Sequence, residues 1–447
     1  MHLHSAESPR DEDSYLAGRR HAWFAFAMTF ALMLFDYMDR QVIVSLFPHL
    51  KAEWGLSDKQ LGGLVSVISV VVAVGGIPVA LLADRVSRVR TIVAMATTWS
   101  LATISCVFAG SYAQLFAARA VVGLGETGYG SVGAALIASL FPRRLRSALL
   151  GAFFAAASLG SVLGVLLGGV IAARWGWKAA FGVVGVPGLV LALMYLLVRD
   201  YKTVPLTPQL DRATRSVGSS VRHIARSLAR SRTVLWTCVG AAMQLIVVSA
   251  VWSWLPSYLN RFHGLAPQQA SKQAALVVLV GALGSLVWGT VVDRLAARRA
   301  RDKLVVLAAL CLATVGIVLD AFGGPFSDAA QFRIILLGGF VMTCSVGVVA
   351  AVVIDVIHPA VRSTGSAVLS LFQNLFGLAI GPFLAGALSD VWGLQLAMTV
   401  VPLCSVLAAL AFLKASRSYE ADLRTVADVH LDVADPQGSP DAIPAHS

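Results

Sequence analysis

The chain has 447 residues, of which 57% are hydrophobic and only 13% charged, and its mean hydropathy is +0.77. Soluble globular chains carry about a quarter charged residues, so this composition excludes an ordinary water-soluble fold. The net charge of +11 falls in short clusters between apolar runs with no nucleic-acid-binding motif, and the five cysteines, each inside an apolar run and without CxxC spacing, exclude a disulfide framework or a metal site.

The first segment, 1–21, is polar and partly acidic, unlike a cleavable signal peptide. A membrane-spanning helix needs about 20 mostly apolar residues. Such runs lie near 22–45, 61–83, 91–109, 113–139, 147–172 and 180–198, and again near 233–258, 270–292, 303–320, 331–355, 362–386 and 392–414. The predicted fold is an all-α membrane protein of twelve transmembrane helices in two six-helix bundles, 22–198 and 233–414. The linker 199–232 places Val217, Val221, Ile224 and Leu228 at helical spacing, with Arg222, Arg226 and Arg230 on another face. That pattern fits an amphipathic helix on the anionic inner leaflet, or a solvated basic loop that aids orientation. The tail, 415–447, is polar, contains Pro436, Pro440 and Pro444, and is expected to be disordered.

With the N-terminus placed in the cytoplasm, inner segments hold 26 Lys and Arg and outer segments 7, the other two being Arg40 and Arg119 within spans. The positive-inside rule therefore puts both termini in the cytoplasm and accounts for the net charge without nucleic acid. Neither of the two asparagines, Asn260 and Asn374, begins an N-x-S/T acceptor, which fits a bacterial inner membrane.

The two halves repeat each other. "ALLADRVSRVR" (80–90) follows span 2 and "GTVVDRLAARR" (289–299) follows span 8; "RSALLG" (146–151) opens span 5 and "RSTGSA" (362–367) opens span 11. Matched signals at matched positions mark a duplicated bundle. The G-x-x-x-D-R-x-x-R-R pattern between spans 2 and 3 and between spans 8 and 9 resembles the major facilitator superfamily. So do "RAVVGLG" (119–125) in span 4 and "GSVLGVLLGG" (160–169) in span 5. Ala80 replaces the leading Gly of the first copy, and Val165 stands where span 5 often carries Pro. More narrowly, "DYMDR" (36–40) and "GLGETGYGSVGAALIASLF" (123–141) resemble the Spinster-like branch, with Asp36 at an Asn position and Gly133–Ala134 at an Ala-Pro pair. The anion:cation symporter branch shares the Asp-Arg of span 1 and the Glu of span 4.

Charges inside the spans carry the functional reading. Asp36 lies near mid-depth of span 1, Asp39 and Arg40 about one turn outward, and Glu126 at the centre of span 4 with Arg119 two turns earlier. Gly123, Gly130 and Gly133 extend the Arg119–Glu126 stripe, which permits close helix approach or lines a cavity. A charge at the bilayer centre costs at least about 2.5–3.5 kcal/mol, so these five groups must be paired, hydrated or neutralised. Two arginines pair two of three carboxylates, and the third gains by taking a proton. Asp39 and Glu126 are the expected proton carriers with Arg40 switching between them. Asp36 is divided between pairing with Arg40 and coupling, and Arg119 holds Glu126 or meets an anionic substrate. A fixed ion-pair cluster cementing spans 1 and 4 is the competing reading. Tyr129, and in the second half Gln244, Trp252, Ser370 and Asn374, complete the expected substrate contacts, with an interfacial belt the competing reading for Trp252 and interhelical bonding that for Asn374. Span 11 sets Ser363, Ser366, Ser370, Asn374, Gly377 and Gly381 on one stripe, whereas the glycines of span 5 are expected to serve packing.

The superfamily resemblance implies gate ion pairs at the cytoplasmic end, Asp84 near Arg362 and Asp293 near Arg146, with Arg85, Arg88 and Arg294 beside them. The implied function is a proton-coupled secondary transporter of a small amphipathic or anionic organic molecule, lysolipid-like by the Spinster-like resemblance. Alternatives are a symporter of sugar acids or other organic anions, a drug efflux antiporter and a non-transporting receptor on a carrier fold. The expected partners are substrate, protons and the lipid bilayer, with the chain a monomer. No P-loop, metal-ligand cluster or nucleophile–base pair stands out, so neither a cofactor nor enzymatic activity is expected.

Overall fold

Tyr15 and residues 18–85, 87–198, 231–297, 299–357 and 362–434 are described by a computed structural model. Among them the first half runs as span 1 (Arg19–Val42, a tighter turn Ile43–Leu46, then Phe47–Trp54), span 2 (Asp58–Arg85), span 3 (Arg88–Cys106), span 4 (Tyr112–Glu126 and Tyr129–Leu140), span 5 (Arg143–Trp175) and span 6 (Trp177–Tyr195). The second half runs as span 7 (Arg232–Phe262), span 8 (Pro267–Leu295), span 9 (Asp302–Gly323), span 10 (Asp328–Met342 and Val348–Asp355), span 11 (Arg362–Phe372, a π-helical segment Gln373–Leu378, then Ile380–Trp392) and span 12 (Leu394–Val400, Val401–Leu403 and Cys404–Ala434). Ten of these are long and apolar enough to cross a membrane. Span 3, rich in Ser and Thr, and span 10, interrupted between its two pieces, fall short by that measure and complete the set of twelve. Leu286 and Val391, 70% and 74% exposed, belong to an outward apolar surface that suits lipid contact. Inside lipid each backbone group must be satisfied within its own helix, so apolar runs of this length fold as helices.

The spans enter and leave through short local signals. Ser87, Ser111 and Ser231 cap spans 3, 4 and 7, each accepting from the backbone N–H three residues on. Gly176, between spans 5 and 6, has φ 82° and ψ 159°, and Gly393, between spans 11 and 12, has φ 84° and ψ 154°. Each follows a tryptophan, Trp175 or Trp392, so the duplication extends to a turn that favours glycine.

Two predicted boundaries move. Span 1 continues past residue 45 to Trp54, because Pro48 sits in the first turn of Phe47–Trp54, where its missing N–H costs nothing. The tail, expected to be disordered from 415, is helical to Ala434. Tertiary contacts order it: Tyr419 is buried, and Asp422 Oδ2 accepts from Ser231 Oγ (2.9 Å) and Thr233 N (3.2 Å) at the start of span 7. The amphipathic pattern at Val217–Leu228 lies outside the described residues.

Glycine governs how the helices pack. Gly160, Gly164 and Gly168 of span 5 press against the carbonyls of Leu34, Met38 and Val42 of span 1, leaving no room for a Cβ. Gly377 and Gly381 of span 11 approach the span 7 backbone at Ala242 and Ile246 in the same way. Toward the end of the molecule that carries the turns after spans 2 and 8, here the basic end, each half has its own apolar core: Ile92, Tyr129 and Phe153 in one, Leu304, Val352 and Phe412 in the other. At the far end one continuous cluster joins both halves through Val42, Phe47, Leu61, Trp254 and Tyr258.

Candidate functional site

Span 4 does not run straight through. It breaks after Glu126 at Thr127 and Gly128, the glycine taking φ 82°, and restarts at Tyr129. Thr127 Oγ1 donates to the Gly123 carbonyl at 2.7 Å, satisfying one acceptor freed at the break. Glu126 therefore ends a helix instead of occupying the middle of one. The break also dissolves the expected glycine stripe: Gly123 faces Ile68 and Val71 of span 2, Gly133 faces Phe153 and Thr29, and Gly130 has open space beside it.

The four candidate coupling residues and Arg119 converge; Arg40 meets two of its expected partners, Glu126 and Asp36, whereas Arg119 does not hold Glu126. Arg40 Nε lies 2.9 Å from Glu126 Oε2 and 3.7 Å from Asp36 Oδ1. Arg119, fully buried, turns to span 1 and not to Glu126: its NH1 is 3.3 Å from Asp39 Oδ1 and 3.2 Å from the Asp39 carbonyl. Its planar group also lies 6.0 Å from the Phe181 ring centroid. Thr103 of span 3, which nothing singles out among the several Ser and Thr of that span, donates to Asp39 Oδ2 at 2.8 Å. Asp39 is thus held from two other spans.

The other pair is loose. Both Glu126 oxygens, Asp36 Oδ1 and Arg40 Nε are buried without a hydrogen-bond partner, so the Arg40 contacts are ion pairs lacking alignment. Arg40 is also the one member with a partly exposed side chain, at 16%, and it lies 5.1 Å from the Tyr37 ring centroid. Three carboxylates and two guanidiniums form this cluster, with Asp39 hydrogen-bonded from two spans and Asp36 and Glu126 sharing Arg40 without an aligned hydrogen bond.

The expected substrate contacts do not form a single lining. Tyr129 is fully buried, donates to the Thr29 carbonyl at 2.7 Å and packs edge-on against Trp99. Gln244 is equally buried, its Nε2 donating to the Met342 carbonyl at 2.9 Å. Trp252 is half-buried with Nε1 unpartnered. Ser370 is exposed and Asn374 half-buried, the Asn374 Nδ2 donating to the Ser370 carbonyl at 2.9 Å. The π-helical segment carrying Asn374 inserts extra backbone into the turn, so Gly377 and Gly381 rotate onto span 7 and the predicted single stripe is divided.

Of the gate residues, the side chains of Asp84, Arg85 and Arg362 lie outside the described residues. Arg88 NH1 donates to Ser139 Oγ at 3.0 Å within its own half, and Arg294 is exposed. The expected Asp293–Arg146 pair is not made. Asp293 sits 3.1 Å from Lys303 Nζ, and Arg146 Nε donates to the Phe141 carbonyl at 2.9 Å. Each partner is satisfied inside its own half, where the apolar cores are also separate.

A helical protein of two matched six-span halves, joined at one end and carrying opposed charges deep in the first, is a membrane transporter of the two-bundle class. The chain belongs to the major facilitator superfamily, whose family model matches residues 29–378, and it resembles the Spinster-like branch. It is 28% identical over 381 residues to an MFS-type efflux pump of Mycolicibacterium smegmatis, covering 83% of this chain and 86% of that one. It is 24% identical over 385 residues to protein spinster of Drosophila melanogaster, covering 83% and 62% respectively. A gallate transporter of Pseudomonas putida is 26% identical over 448 residues, covering 91% and 95%. Among solved structures, a bacterial homolog of the human lysosomal transporter Spinster, inward-facing and unoccupied, superposes with a TM-score of 0.80 at 22% identity over 91% of this chain and 99% of that one.

Proposed function

We propose that this transporter is a proton-coupled secondary carrier of a small amphipathic or anionic organic molecule, working by alternating access in a bacterial inner membrane with both termini cytoplasmic. The observation that carries the reading is the charge imbalance of the buried cluster, three carboxylates against two guanidiniums. One proton makes the cluster neutral. The proton is best accommodated on the Asp36–Glu126 pair, which shares a single misaligned arginine, while Asp39 keeps Arg119 and Thr103. When Glu126 or Asp36 takes the proton, Arg40 loses a partner and is free to turn to Asp39 or to an anionic substrate. A cluster that is neutral when protonated and charged when not is sealed from water at different cost in its two forms, which ties the closure of the bundles over it to the proton. Each proton moving down the potential supplies roughly 2.3 kcal/mol per 100 mV.

The orientation rests on the Lys and Arg distribution, which makes the basic end cytoplasmic. On cargo, the Spinster-like resemblance favours a lysolipid-like amphiphile and the gallate transporter a small carboxylate. Asn374 and Ser370, with the Asn374 side-chain carbonyl left over as an acceptor, are the proposed contacts in the second half. Asp84 with Arg362 is the proposed gate pair that closes the cytoplasmic end when the transporter faces outward. Reconstitution into vesicles with an imposed pH gradient, against a panel of lysophospholipids and aromatic and sugar acids, tests the function. One class is expected to accumulate, and a protonophore to abolish that accumulation; uptake indifferent to the protonophore would refute proton coupling.

A further inference from the structure

At the far end, span 2 opens with Asp58, whose side chain is only 3% exposed. Its carboxylate is approached from both halves of the molecule. Lys51 Nζ, on the helical extension of span 1, is 2.6 Å from Oδ1. Arg261, at the end of span 7, forks across the group, NH1 at 2.6 Å from Oδ2 and NH2 at 2.7 Å from Oδ1. Ser389 of span 11 donates to Oδ2 at 2.5 Å. The neighbouring Asp390 accepts from the backbone N–H groups of Asp58 (2.8 Å) and Lys59 (2.9 Å), so it satisfies two orphan donors at the positive end of span 2. Beneath these bonds the backbones touch: Gly62 lies against the Pro382 carbonyl and Gly386 against the Asp58 carbonyl, neither with room for a Cβ.

The partition between the halves is informative. Arg261, Ser389 and Asp390 belong to the second half, whereas Asp58 and Lys51 belong to the first. Parting the bundles at this end therefore breaks the forked pair, the serine bond and both backbone caps together, but leaves Lys51 on Asp58. The carboxylate keeps a counter-charge throughout, so separation exchanges strong bonds for water without exposing a lone buried anion.

We propose that Asp58 is the keystone of a latch holding the far ends of the two bundles shut, and that its release from Arg261 and Ser389 is an obligatory step in opening that end. The latch rests on the alternating-access reading only in that the far end opens at all. Its test follows opening directly, without cargo or protons, so the two ideas fail separately.

The test uses the full chain in vesicles, with Ser257→Cys on span 7 as reporter. Ser257 is buried at the far end in this conformation, and the parent without it corrects for the native cysteines. Labelling by a membrane-impermeant maleimide added at the far side is measured. Asp58→Asn and Arg261→Gln are each expected to speed labelling by about tenfold or more, the scale of one charged hydrogen bond. The double variant is expected to match the singles, since both remove the same contact, and Lys51→Met to stay within about twofold because that bond does not cross the halves. Unchanged labelling in both single variants, or effects that multiply in the double variant, would overturn the latch. If Asp58→Asn does not reach the membrane, Arg261→Gln and Ser389→Ala are held to the same two outcomes.

Discussion

Arg119 and Asp39 form a pair with neither side chain open to water, the guanidinium contacting both the carboxylate and the backbone carbonyl of the same residue. Removing one partner leaves an uncompensated charge inside the bundle, which costs about 3–5 kcal/mol. Asp39→Ala is therefore expected to lower the thermal midpoint of the purified protein sharply. Asp39→Leu combined with Arg119→Leu should recover most of that loss, since the desolvation cost disappears with both charges. Thermal melts in one detergent decide this, and an additive loss in the double variant would show that the pair is not a unit.

Arg40, Glu126 and Asp36 are expected to behave differently. Glu126→Gln and Asp36→Asn each remove the surplus negative charge, so each should abolish accumulation driven by a pH gradient while substrate exchange at equal concentrations persists. Arg40 keeps one carboxylate in either variant, and stability should change by less than in Asp39→Ala. Counterflow measured beside gradient-driven uptake separates the two activities. Wild-type accumulation in both variants would remove the coupling role from this pair.

The charged cluster was legible in the sequence because five ionisable groups inside apolar runs admit few explanations. The duplicated halves were legible too, from matched Asp-Arg turns. Partner choice was legible only in part. The Arg40 pairs with Asp36 and Glu126 follow from spacing and depth, but which carboxylate Arg119 meets depends on the rotation of span 4 against span 1, which comes from tertiary packing and not from local sequence. Thr103 gave no signal because it is one of six hydroxyls in span 3, several of which, Thr91, Thr98 and Ser105 among them, bond their own backbone. The division of span 11 was hidden for a similar reason: a π-helical segment follows from packing against span 7, not from local propensity. Asp58, in an ordinary polar turn, acquires Arg261 and Ser389 only when spans 7 and 11 arrive from the other half.

Asn374 lies in that π-helical segment, its amide nitrogen committed to Ser370 and its carbonyl oxygen left as an acceptor. If it accepts from the substrate, Asn374→Ala removes one neutral hydrogen bond, worth about 0.5–1.5 kcal/mol. Apparent affinity is then expected to weaken by up to about tenfold, with the ratio of driven uptake to exchange unchanged. Uptake kinetics over a range of substrate concentrations provide the measurement. A loss of coupling with affinity intact would assign Asn374 to conformational change instead.

Gly164 touches the Met38 carbonyl, one residue before Asp39 and two before Arg40. A side chain there has to push span 1 away from span 5 or twist it. Overpacking of this kind costs about 1–3 kcal/mol, so Gly164→Val should fold with a lowered melting midpoint. Its effect on transport should exceed its effect on stability, because span 1 carries three of the five charges and a small rotation misaligns the Arg40–Glu126 contact. Gly168→Val, one turn further on against Val42 and away from the charges, is the control with the same packing defect. Equal transport losses in the two variants would mean that the zipper matters for assembly alone. A larger loss at Gly164 would place the register of span 1 among the determinants of transport.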